Sequence, residues 1–185
     1  MSFKKWIGKT YLKLRGWTVV GDIPPEIRKC VIIEAPHTSM EDFFIGLSFF
    51  WARGREVKYL MKKEFFKNPV LGWLLRRAGG IPVDRSRGNN MVAKTAAVFK
   101  QYDELSIVIC PEGTRKRVER WKRGFYFMAE IAKVPVVMGF IDYKTRTCGY
   151  GPTFHPSGNF DEDWKMIEDF YRGMQGKYKG KFNLE

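Results

Sequence analysis

Short runs rich in β-branched residues stand at 31–35, 57–61, 81–83, 106–110 and 134–143, with a further one at 148–154. Each is too short for a helix and predicts a strand. Between them, apolar positions recur at three-and-four spacing over 42–53, 69–78, 90–102, 125–133 and 161–175, which predicts helices. Strand and helix in rotation predict an α/β fold: a single domain with a mixed, mostly parallel sheet flanked by helices. No internal repeat, low-complexity stretch or long linker divides the chain.

The first residues follow a different pattern. Phe3, Trp6, Ile7, Tyr11 and Leu14 recur at helical spacing, and Lys4, Lys5, Lys9, Lys13 and Arg15 fill the other positions without one acid. Residues 1–20 therefore read as an N-terminal basic amphipathic helix, and residues 21–185 as the globular domain. Such a helix can lie in a bilayer interface, its aromatics among acyl chains and its lysines on anionic headgroups. It can equally lay its apolar stripe on the core. The aromatic cluster Phe43, Phe44, Phe49, Phe50 and Trp51 is a second expected membrane contact.

Charge narrows the choice of partner. Of 185 residues, 33 are Lys or Arg against 20 Asp or Glu, a net charge of +13, which predicts an anionic partner: nucleic acid, an anionic bilayer or a phosphorylated substrate. No RNA-binding or helix-turn-helix signature is present, and the basic residues stand beside strand ends that carry His, Glu and Thr, so nucleic acid is not expected. Cys30, Cys110 and Cys148 show no CxxC spacing, and neither a disulfide framework nor a metal site is expected. No run reaches the roughly 18 to 20 apolar residues of a spanning helix, and no signal-peptide pattern opens the chain. The expectation is a cytoplasmic protein, peripheral on the membrane surface.

Ligands of open α/β sheets bind where strands end and loops lead into helices. The first predicted strand ends in Pro36-His37-Thr38-Ser39-Met40-Glu41-Asp42. Five residues along a helix turn about 140° past a full revolution, so His37 meets Asp42 only from the loop before the helix. Thr38 and Ser39 as caps place the helix start there. A histidine held by a carboxylate has one tautomer selected and suits a general base acting on a hydroxyl. A capping role for Asp42 with Ser39, or for Glu41 with Thr38, explains the acids equally well. The strand at 106–110 spills into Pro111-Glu112-Gly113-Thr114-Arg115, and the strand at 81–83 into Asp84-Arg85. Arg85 and Arg115, hard against strand ends, are suited to an anion pocket, whereas the run from Lys116 to Arg123 reads as a solvated face. His155, in a turn-rich stretch with no nearby acid, reads as a loop residue.

In order and spacing, His37 with Asp42, then 79–85, then Pro111-Glu112-Gly113-Thr114-Arg115, then Val134-Pro135-Val136-Val137 resembles the four blocks of the glycerolipid acyltransferases, best known for 1-acylglycerol-3-phosphate acyltransferases. The resemblance spans residues 31–143, and the joint occurrence of four blocks is specific where one alone is weak. It implies that residues 21–185 form an acyltransferase domain. In it His37 deprotonates an acceptor hydroxyl and Asp42 supports the imidazolium, while Arg85, Glu112, Gly113, Thr114 and Arg115 hold the acceptor and its phosphate and Pro135 shapes the pocket or acyl channel. The donor it implies is acyl-CoA or acyl carrier protein, with no cofactor and no covalent acyl-enzyme, and no G-x-S-x-G elbow is present. Pro36 stands where many members have Asn, Cys110 where Phe is common, and Lys116 where Ser is usual. The default acceptor is 1-acylglycerol-3-phosphate; glycerol phosphate and amino-acid lysolipids are alternatives. A thioesterase and a non-catalytic basic binding module are the readings outside acyl transfer.

Overall fold

The computed structural model describes residues 2–83 and 90–185; the side chains of residues 90, 91 and 94 are outside the description. Seven strands form one sheet in the order β1-β7-β6-β2-β5-β3-β4, with β1 Thr18–Val20, β2 Lys29–Ala35, β3 Lys58–Lys62, β4 Gly80–Val83, β5 Leu105–Ile109, β6 Val136–Asp142 and β7 Thr147–Phe154. Every pairing is parallel except β6 with β7. The helices are α1 Phe3–Leu14, α2 Glu41–Arg53, α3 Pro69–Arg77, α4 Asn90–Val98, α5 Gly124–Ala132 and α6 Phe160–Tyr171. The mostly parallel α/β sheet expected from the strand and helix rotation is the fold observed.

Alternation along β2 sends side chains to two cores. Val31, Ile33 and Ala35 pack against Phe125, Met128 and Ala129 of α5 and Ile167 and Tyr171 of α6. Cys30 and Ile32 pack against Ile45, Phe49 and Phe50 of α2 and Leu12 of α1. The central strands are buried on both faces, which is why they read as continuous apolar runs.

One boundary differs from the sequence reading. Thr18–Val20 forms β1 and pairs with β7, so the sheet begins within the first 20 residues, before the expected boundary at residue 21. Helix α1 itself docks on α2 through Gly8, where an added Cβ would meet the Ser48 carbonyl oxygen at 2.3 Å. Only a glycine permits that approach. One face of α1 is therefore core, with Gly8 and Leu12 buried, while Phe3 at 73% exposure and Trp6 at 52% face outward. The aromatic cluster on α2 divides likewise. Phe49 and Phe50 are core residues, packed on Tyr150, and only Phe44 is well exposed. Among the described residues no helix is long and apolar enough to cross a membrane.

Candidate active site

The carboxyl ends of β2, β5 and β6 lie side by side and gather the polar residues. A cis Ala35–Pro36 bond follows β2, and His37 comes next. Helix α2 then begins at Glu41, after Met40 in the helical region. The capping role for Asp42 with Ser39 is observed, and it extends to the Thr38 N–H. Asp42, in the first turn, reaches back, and its Oδ2 accepts from the backbone N–H groups of Thr38 at 2.7 Å and Ser39 at 2.8 Å. Ser39 Oγ accepts from the Glu41 N–H at 3.1 Å. The loop is thereby tied to the helix it precedes, which places an anion over unpaired N–H groups at the positive end of the helix.

This tie sets the histidine. His37 Nδ1 lies 3.4 Å from Asp42 Oδ2, so the other ring nitrogen, Nε2, is left for a ligand. The imidazole is 25% exposed, while Asp42 is buried at 3%. The other carboxylate oxygen, Asp42 Oδ1, accepts from the Tyr143 hydroxyl at 2.7 Å. Tyr143 in turn stands edge-on to Trp17, with ring centroids 5.0 Å apart. Burial, reinforced by the Asp42 carboxylate, pushes the Tyr143 phenol further up from its ordinary range, so it stays a donor. Sequence reading passed over Tyr143. It closes the run at 134–143, and the strand-end rule that selected His37 selects it too.

Glu112 has a different place from the one the resemblance implies. It is buried, and its Oε2 accepts from the His37 backbone N–H at 2.8 Å. It braces the His37 loop through that bond. Burial pushes its carboxyl up to about 8, with the Asp42 carboxylate adding and the His37 N–H opposing, so it is mostly protonated at neutral pH. Glu34, one residue before the end of β2, is likewise raised to about 8, by burial first and the Asp42 carboxylate second.

The Glu34 shift has a testable sign. The folded protein keeps a proton that the unfolded chain releases above the ordinary value of 4.5, so stability falls as pH rises from there to about 8 and levels off beyond. Glu34→Gln removes that loss. Its melting temperature should exceed wild type by more at pH 8 than at pH 5, by roughly 5 °C or more. An equal difference at both pH values would show that Glu34 keeps its ordinary titration.

Gly113 takes a left-handed φ of 67° and closes a turn in which its N–H donates to the Cys110 carbonyl at 3.0 Å. Thr114 Oγ1 accepts from the Lys116 N–H at 3.3 Å, a structural use of the hydroxyl. Arg115 emerges from the turn and lines an open groove together with Thr38, Ser39, Lys177, Tyr178 and Lys181. Arg85 lies outside the described residues. Pro135 is not brought to this edge: its carbonyl accepts from Val31 N–H at 3.0 Å, at the amino end of β6. Roughly 13 Å of strand, from Val31 to Ala35, separates it from the loops that carry His37. It precedes its strand, and only residues that follow strands reach the carboxyl edge. Among the described residues no cluster of His, Cys, Asp or Glu could hold a metal ion.

A family model described as Acyltransferase matches residues 18–139. The chain belongs to the Acyltransferase family. The matched stretch of this family member carries β1 to β5 and the first half of β6, with the His37 loop and the Glu112 turn, and stops before Tyr143. Among curated relatives, the chain is 26% identical over 140 residues to a 1-acyl-sn-glycerol-3-phosphate acyltransferase of Streptococcus pneumoniae, covering 69% of this chain and 52% of that protein. It is 32% identical over 83 residues to the Bacillus subtilis protein of the same name, covering 44% and 41%. The chain thus spans about half the length of the curated relatives it matches. The crystal structure of the 1-acyl-sn-glycerophosphate acyltransferase PlsC from Thermotoga maritima shares the fold, with a TM-score of 0.65 at 18% identity over 90% of this acyltransferase chain and 74% of that one.

Proposed function

We propose that this protein transfers a fatty acyl group from a thioester, acyl-CoA or acyl carrier protein, to the hydroxyl of a phosphate-bearing lysolipid, with 1-acylglycerol-3-phosphate as the acceptor. The observation that carries the proposal is the partly exposed His37 held by Asp42 at the edge of a groove walled by Arg115. In the step, His37 Nε2 takes the proton of the acceptor hydroxyl as its oxygen attacks the thioester carbonyl. The tetrahedral intermediate collapses, the C–S bond breaks, and the imidazolium returns the proton to the leaving thiolate. Asp42 positions the ring and offsets its charge during the interval in which it is protonated. Arg115 supplies a planar fork for the acceptor's phosphate. The names of the curated relatives and of the Thermotoga structure agree with this acceptor class.

The lipid substrates are taken from an anionic bilayer surface. Helices α1 and α3 each expose a group of apolar side chains: α1 Phe3 and Trp6, and α3 Val70, Leu71, Trp73 and Leu74. Arg76 and Arg77 close α3, with the Arg77 guanidinium 5.7 Å from the Trp73 ring centroid, a combination of apolar and basic groups suited to a headgroup region. One experiment addresses both parts. Purified protein is mixed with vesicles containing phosphatidylglycerol, acyl-CoA and either 1-acylglycerol-3-phosphate or uncharged monoacylglycerol. The expected outcome is sedimentation with the vesicles and at least about tenfold preference for the phosphorylated acceptor, the size of one lost charge-assisted contact. Equal use of both acceptors would remove Arg115 from recognition, and protein left wholly in the supernatant would remove the bilayer.

A further inference from the structure

Residues 173–185 form neither helix nor strand, yet they are held in place along their length. The Phe182 ring is fully buried, 6.0 Å from Trp121 between ring centroids. Arg117 donates to the carbonyls of Gly180 at 3.2 Å and Phe182 at 2.8 Å, so part of the basic run expected to be solvated has a structural task. Trp121 Nε1 donates to Asn183 Oδ1 at 3.0 Å. At the near end, the Gln175 N–H donates to Asp142 Oδ1 at 2.9 Å, and the Gln175 carbonyl accepts from the Tyr143 N–H at 2.9 Å. Gly176 lies directly on the loop after His37: an added Cβ there would meet Thr38 Cγ2 at 2.4 Å.

These anchors bring three side chains to the groove. Lys177 and Arg15 both bind the Glu41 carboxylate, which neutralises the acid that lines the groove and draws Glu41 below its ordinary value through the Lys177 hydrogen bond. Lys181 Nζ stands 4.4 Å from the Tyr178 ring centroid. Arg115 and Lys181 thus face one space from two unrelated parts of the chain, with Glu41 already balanced between two other cations. The segment lies wholly beyond the residues matched by the family model, 18–139.

We infer that this C-terminal segment completes an anion-binding site beside His37, in which a substrate's phosphate group docks between Arg115 on one wall and Lys181 on the other. Tyr178 holds the Lys181 ammonium at the groove by its ring face. The Gly176 contact with Thr38 sets the distance from the phosphate to the catalytic loop. The phosphate has two sources, the acceptor's headgroup or the phosphates of coenzyme A. Which of them it is rests on the acyl-transfer reading; the presence of an anion site does not.

Calorimetric titration at fixed ionic strength separates these outcomes, using wild type and Lys181→Glu with hexanoyl-glycerol-3-phosphate, coenzyme A and hexanoylglycerol. The variant should weaken binding of a phosphate-bearing ligand by at least about tenfold, as loss and reversal of a charge-assisted contact predict, with hexanoylglycerol binding and melting temperature unchanged. Weakening confined to hexanoyl-glycerol-3-phosphate assigns the site to the acceptor, and weakening confined to coenzyme A assigns it to the donor. Unchanged affinity for both, or equal weakening of all three ligands, overturns the inference, as does a wild type that binds neither phosphate-bearing ligand. Weakened phosphate binding in a protein that transfers no acyl group leaves the anion site standing and removes the proposed reaction instead.

Discussion

Replacing His37 with alanine should lower kcat for acyl transfer by about two to four powers of ten, the usual contribution of a general base, without loss of folded protein. The fold should survive because the residue's structural bonds are made by its backbone. Its N–H donates to Glu112, and the imidazole is partly open to solvent. A melting temperature within about 2 °C of wild type would accompany the loss, as expected for truncating a partly exposed side chain. A variant that retained full kcat would place the base elsewhere.

Asp42→Ala should do more. The carboxylate is buried and accepts from Thr38 N–H, Ser39 N–H and the Tyr143 hydroxyl, so its removal leaves three donors without an acceptor. Each stranded buried donor costs about 1 to 3 kcal/mol. Even a total of about 3 kcal/mol lowers the melting temperature of a chain this size by roughly 6 to 12 °C. Activity should fall with it, since the loop carrying His37 is tied to α2 through the same carboxylate. Asp42→Asn separates the two effects. The amide oxygen can keep the backbone bonds while the charge that supports the imidazolium is gone, so most of the stability should return and most of the activity should not. Thermal melts and initial rates on the three proteins check this. Asp42→Ala with wild-type stability would mean that the carboxylate does not organise the loop.

Much of this was legible in the sequence because the central strands are buried on both faces and alternate with amphipathic helices. Runs at 31–35 and 106–110 could form little else. β1 escaped notice because a three-residue edge strand with an exposed, intermediate, exposed pattern leaves no periodic signal. The burial of Phe49 and Phe50 on the apolar helix α2 was illegible for a related reason. That helix is covered by the sheet on one side and by α1 on another, and composition does not record how many sides of a helix are covered.

The site divides along similar lines. His37 and Asp42 could be paired because they are close in sequence, and the same carboxylate also caps Ser39, so the two readings of Asp42 hold together. Tyr143 is 101 residues from Asp42, and only the adjacency of β2 and β6 joins them. Glu112 is 75 residues from His37, and its bond to the His37 backbone N–H could not be read from spacing. Pro135 falls at the opposite edge because a parallel strand separates the residue before it from the residues after it. Residues 173–185 were the least legible. Their position depends on single anchors, Phe182 and the two carbonyls held by Arg117, and such anchors have no period.

The most direct measurement counts thiol released against ester formed when the purified protein is given acyl-CoA and 1-acylglycerol-3-phosphate on anionic vesicles. Direct transfer through His37 predicts one phosphatidate for each coenzyme A released, with both falling together in His37→Ala. Thiol released without new ester, or thioester left intact in the presence of every acceptor, would contradict it.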